Sequence, residues 1–117
     1  MAGRVVVYAV DLLSSSQVTD TAQQLGYSAR TASDPDQLLN ELSSSPDLLL
    51  VDASAHPDWS AIVAAAKPRG TPVIAFGNHT DLVGRGRALA AGVNGVVANS
   101  VVATDLAGLL RKYARRN

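Results

Sequence analysis

Three stretches of the chain are apolar without a break: VVVYAV at residues 5–10, LLLV at 48–51 and PVIAF at 72–76. Each has the length of a strand, and none alternates with polar positions. Runs of this kind predict strands buried on both faces, as in a parallel sheet. GVVA at 95–98 predicts a shorter fourth strand. YSARTA at 27–32 does alternate, which suits an edge strand with one face in solvent.

Helical spacing fills the intervals. Val18, Ala22 and Leu25 recur at i, i+4 and i+7, with serines 14–16 offering an N-cap and Gly26 a C-terminal stop. Asp34-Pro35-Asp36-Gln37 supplies an N-cap, an N1 proline and an N3 glutamine ahead of Leu38, Leu39 and Leu42. Trp59, Ile62, Val63 and Ala66 form a stripe that ends before Pro68, and Leu106, Leu109, Leu110 and Tyr113 form the last. A fourth helix is expected at about residues 80–91, weakened by Gly84 and Gly86, each costing about 1 kcal/mol relative to alanine.

Strand and helix therefore alternate five times. Right-handed crossovers turn that order into an open parallel α/β sheet wound on both faces, with strand order 2-1-3-4-5 expected and the topological switch between strands 1 and 3. The 117 residues are expected to form a single domain.

Composition changes this picture little. Hydrophobic residues make up 47% and charged residues 17%, which favours a folded globule over disorder. Without cysteine there is no disulfide or thiolate chemistry. No apolar stretch approaches the ~20 residues that span a bilayer, and the N-terminal sequence shows no cleavage pattern, so a cytoplasmic protein is expected. Net charge is zero but unevenly placed. Residues 1–60 hold two bases against eight acids, whereas residues 61–117 hold eight bases against two acids. Two readings are open: chance segregation on a solvated surface, or a basic face that docks an acidic partner.

Candidate chemistry starts at LLLVDAS, residues 48–54, where an apolar run ends in a carboxylate. Open parallel sheets collect ligands at the carboxyl ends of strands beside the switch point. Asp52 after the third strand and Asp11 after the first would both reach that rim. An aspartate after a strand also caps turns, so a purely structural role stays open for each.

LLLVDAS, TPVIAFGN and AAGVNGVVANS, at these intervals, resemble response-regulator receiver domains along the whole chain. The resemblance implies a flavodoxin-like fold, a phosphoacceptor at Asp52, and bacterial two-component signalling. It also implies Mg²⁺ held by that aspartate and an acidic pair after strand 1. That pair falls on Ala9 and Val10, and the acid, Asp11, comes one residue later. The hydroxyl that would end strand 4 is Gly77, followed by Asn78. The lysine and proline after strand 5 are Asn99 and Ser100, and the aromatic switch position is Val96. Asp11 and Asp52 alone would hold magnesium weakly at most. Phosphoryl transfer depends on positioning and charge neutralisation, so these losses predict a degenerate pseudo-receiver, not an enzyme and without a cofactor. The expected alternative is a slow but genuine phosphoacceptor using Asp52.

Receivers usually pair through the fourth helix, fifth strand and last helix, where this chain carries Arg85, Arg87, Val96, Arg111 and Lys112. A protein partner is expected there, an acidic one or a second copy, with Arg115 and Arg116 adding to the basic end. Nucleic acid is not expected, since aromatic platforms and a recognition-helix motif are missing. A small molecule in the rim crevice, anchored by Asp52, Asn78 and Asn99, is a third reading. His79 or Thr80 is expected to cap the fourth helix, and His56 has no partner at metal-ligand spacing. Finally, Asp11 and Asp52 facing each other without a cation would repel, so Asp52→Asn is expected to stabilise the fold by about 1 kcal/mol, whereas a capping role for Asp52 predicts the reverse.

Overall fold

The computed structural model describes residues 3–9, 12–78 and 80–115, and the side chains of all of these except 12–14. Five parallel strands form one sheet: β1 (Arg4–Tyr8), β2 (Ser28–Ala32), β3 (Leu48–Asp52), β4 (Val73–Gly77) and β5 (Gly95–Ala98). Their spatial order is β2-β1-β3-β4-β5, the expected 2-1-3-4-5. β1 lies in register with both neighbours, Val7 beside Thr31 and beside Leu50.

Successive strand residues point to opposite faces, and here both faces are covered. Val6, Tyr8, Leu49, Val51, Val73 and Ala75 pack on α2 (Pro35–Leu42), α3 (Trp59–Ala66) and α4 (Leu82–Ala91). Val5, Val7, Leu48, Leu50, Ile74 and Phe76 pack on α1 (Leu12–Gln24), α5 (Asn99–Thr104) and α6 (Leu106–Tyr113). Every residue of β3 and β4 is buried, whereas β2, the alternating strand, stands at an edge. No helix among the described residues is long and apolar enough to cross a membrane.

Helix starts follow side-chain capping. Asp34 accepts the Gln37 N–H at 2.9 Å, Pro35 opens α2, and the Gln37 carbonyl accepts the Ser33 N–H at 2.9 Å. Asp58, Asp81 and Asp105 cap α3, α4 and α6 in the same way. Neither His79, which lies outside the described residues, nor Thr80 is needed to cap α4: Asp81 does so through Gly84.

Three expectations are corrected. Serines 14–16 lie inside α1 rather than ahead of it, because the helix already begins at Leu12. Leu25 and Leu39, counted in apolar stripes, are 42% and 52% exposed; Leu25 lies past the end of α1, and the buried face of α2 is set by Leu38 and Leu42. The segment after strand 5 is two helices, not one, because Asp105 leaves helical geometry (φ −140°, ψ 48°) to cap α6.

At the amino end of the sheet a buried carboxylate is fully matched. Asp47, just before β3, accepts the Arg4 N–H at 2.8 Å and pairs with the Arg115 guanidinium at 3.2 Å. Arg115 also donates to the carbonyls of Ser45 and Arg69, both at 2.7 Å. Arg115 is thus a structural side chain and does not join a free basic surface.

The glycines of α4 are not equivalent. A Cβ at Gly84 would meet the second oxygen of the capping Asp81 side chain, which would have to shift. At Gly86 an added Cβ meets nothing within 4 Å. Gly86→Ala is therefore expected to stabilise the protein by about 1 kcal/mol, and Gly84→Ala by less, because there the Asp81 carboxylate must shift. Urea denaturation of the two variants checks this; equal effects would show that the cap does not set the difference.

Candidate functional site at the carboxyl end of the sheet

β3 ends at Asp52, which is only 8% exposed. The chain turns there into a 3₁₀ segment, Ala53–Ala55, and the Asp52 side chain caps that turn. Ser54 donates its N–H to Asp52 Oδ1 at 2.9 Å and its hydroxyl to the same oxygen at 2.8 Å. The carboxylate is thus oriented by two neutral donors.

Asp52 opens onto a cleft of about 340 Å³ between α1 and α5. Gln17, Val18 and Thr21 line one wall, Asn99, Val102 and Ala103 the other, and Phe76 of β4 contributes an apolar surface. Asn99 and Asp52 are therefore brought to one cavity at the carboxyl end of the sheet. Thr21 and Gln17 join them without having been singled out, because the side of α1 that faces the rim is polar and carries no motif.

Other positions do not converge on it. Ala9 is buried among the apolar residues under α1 and α6, and its N–H donates to the Ala32 carbonyl at 3.2 Å, extending the ladder. The first position of the implied acidic pair is thus part of the core. Val10 and Asp11 lie outside the described residues, so the repulsion expected between Asp11 and Asp52 does, too. Gly77 ends β4 against the turn after Asp52, where an added Cβ would sit 3.2 Å from the Ala53 Cβ. A hydroxyl-bearing residue at Gly77 would need Ala53 to give way. Asn78 is corrected as an anchor: its side-chain carbonyl accepts the N–H and hydroxyl of Thr80 at 3.0 and 2.9 Å, closing a turn, and it does not line the cleft. Ser100 lies in the first turn of α5, and its carbonyl accepts the Thr104 hydroxyl at 2.6 Å.

The receiver resemblance brings magnesium with it. Among the described residues Asp52 is the single carboxylate on the cleft, and no group of three or more His, Cys, Asp or Glu side chains could hold a metal. Magnesium asks for near-octahedral oxygen ligation, and of the two carboxylates named for it, Asp52 alone lies within the described residues.

The partner-binding candidates flank the β5 edge. Val96 is half-buried beside Ala75 and packs toward α3 and α4. Arg87 is exposed and Arg85 half-buried on α4. Arg111 and Lys112 are exposed on α6, with Lys112 Nζ 5.1 Å from the centre of the Tyr113 ring. What sequence reading missed is the apolar side of α4. Leu82, Val83 and Leu89 are 73%, 67% and 57% exposed, while small Ala88 is fully buried. Leu82, Gly86 and Leu89, at i, i+4 and i+7, share the outward face, with Arg85 and Arg87 to either side. The signal was present: Gly84, Ala88 and Ala91 form a small-residue stripe, and that stripe is the one turned inward.

Because Ser54 donates twice to Asp52, the stabilisation expected of Asp52→Asn from charge repulsion is replaced by a near-neutral effect. Asparagine keeps an oxygen for both Ser54 donors, so Asp52→Asn is expected to stay within about 0.5 kcal/mol of wild type, and Asp52→Ala to lose about 1 kcal/mol. Denaturant melts at pH 7 check both; a clearly stabilised Asp52→Asn would return the site to unrelieved charge repulsion.

No family model matches the sequence. No curated protein matches it either. Solved structures do. Chemotaxis protein CheY4 of Vibrio cholerae superposes with a TM-score of 0.81 at 18% identity, over 97% of this chain and 99% of that one. The receiver domain of the response regulator NarL from Mycobacterium tuberculosis gives 0.72 at 21% identity, over 94% and 97%. The receiver domain of a modulated diguanylate cyclase from Desulfovibrio desulfuricans gives 0.75 at 18%, over 97% and 94%. The fold of this chain is that of response-regulator receiver domains.

Proposed function

We propose that the chain is a receiver-like signalling or scaffold module, a single cytoplasmic domain that acts by protein–protein contact and does not carry out magnesium-dependent phosphotransfer. The observation that carries this reading is α4, which turns its large apolar residues outward between two arginines. Exposed apolar side chains grouped on one helix face mark interaction surfaces, and the flanking bases select an acidic rim on the partner. The surface continues over Val96 at the β5 edge to Arg111 and Lys112 on α6. A protein with acidic residues around an apolar centre fits it, and a second copy is the other occupant to test.

The inactive pocket rests on the same residues as before. Ala9 stands in the core where an acid is implied, Gly77 has no hydroxyl, and Asn99 replaces the lysine that would neutralise phosphoryl charge. One observation favours the second reading, a slow phosphoacceptor: Asp52 stands at the carboxyl end of β3 and opens onto a cleft.

Incubation with acetyl phosphate and Mg²⁺ separates these two. Unchanged intact mass is expected; a gain of one phosphoryl group that Asp52→Ala abolishes would establish the second reading instead. For the surface, Arg85→Glu with Arg87→Glu is expected to weaken the complex with the partner about tenfold by removing complementary charge. Affinity unchanged in a titration of the double variant would place the contact elsewhere.

A further inference from the structure

Among the described residues, nothing around the cleft balances the charge of Asp52. The two ion pairs among the described residues are Arg30–Glu41 and Arg115–Asp47, and neither involves Asp52. Among the described residues no lysine or arginine lines the cleft, and the donors on Asp52 Oδ1 both belong to neutral Ser54. A buried carboxylate with neutral partners alone leaves attraction for a cation unused. The apolar surfaces of Val18, Phe76 and Val102 lie in the same cavity, and the side-chain amides of Gln17 and Asn99 supply carbonyl acceptors.

We infer that this cleft binds a small organic cation: a primary amine whose ammonium meets Asp52 while its apolar body lies against Phe76 and Val102. An ammonium carries three donors and no acceptor, which matches one carboxylate plus amide carbonyls. A hydrated metal ion would use neither the apolar walls nor a single carboxylate well. A quaternary ammonium would find one aromatic ring rather than a cage. The volume, about 340 Å³, lies at the lower end of small-molecule sites and suits a compact ligand. Asn99, Val102 and Ala103 all belong to α5, which joins β5 to α6, so an occupied cleft bears directly on the segment between the two. The site uses no residue of α4, and its failure would leave the proposed docking face standing.

The test is a titration of ¹⁵N-labelled protein with phenethylamine, followed by amide shifts. Saturable shifts in the millimolar range or tighter are expected at Thr21, Ser54, Asn99 and Val102. 3-Phenylpropanoate, of similar shape and opposite charge, should produce none. Asp52→Asn, which keeps the Ser54 hydrogen bonds, should weaken the amine about tenfold or more by removing the charge. Ala103→Phe, at an exposed lining position, should block the cleft while leaving the rest of the spectrum in place. The inference is overturned if amine and acid shift the same amides alike, if Asp52→Asn binds as wild type does, or if Mg²⁺ saturates those amides at lower concentration than the amine.

Discussion

The whole molecule answers to one constraint: a five-stranded parallel sheet with apolar helices against both faces leaves no interior place for charge. Within β3 and β4 every side chain is buried, so polar groups appear only where strands begin or end. β3 makes the point with two aspartates, one at each end. Asp47 at the amino end is matched by a backbone amide and a guanidinium fork, the arrangement that makes a buried carboxylate structural. Asp52 at the carboxyl end is held, among the described residues, by the neutral donors of Ser54 and opens onto a cavity. Two residues of the same type, five positions apart, thus serve unlike ends because their surroundings supply unlike partners.

The strands were legible because burial on both faces writes itself as unbroken apolar runs, and the edge strand because it alternates. α2 was legible from Asp34, Pro35 and Gln37, whose side chains do in the structure what their types prescribe. α6 was legible from Leu106, Leu109 and Leu110, which it buries, but α5 was not. The receiver pattern places a proline after strand 5, which removes a donor and disfavours helix at the residue before it. Ser100 has neither effect, so the chain enters α5 at Asn99 without delay. The serines before Val18 misled in the opposite way. Good capping residues inside a helix are indistinguishable, by type alone, from residues that begin one.

At the rim, Asp52 was visible from its place after an apolar run, but its partner was not. Ser54 acts through an i to i+2 contact that exists only once the chain bends. Gly77 against Ala53 is likewise a matter of packing between neighbouring strands rather than of motif. α4 was underestimated for a different reason. Propensity registers its glycines as a cost, yet Asp81 caps the helix and small Ala88 lets it sit close to the sheet. The leucines that a hydropathy count assigns to the core are the ones left outside.

The Arg115 fork has a bearing on how the chain is made. It spans 68 residues to Asp47, whose other oxygen holds the amide of Arg4. Closing so long a loop is entropically slow and must wait for both ends. During synthesis β1 and β3 can pair long before Arg115 leaves the ribosome, and through that interval Asp47 has only the amide to satisfy it. Pairing of β1 with β3 can therefore precede the ion pair that covers Asp47.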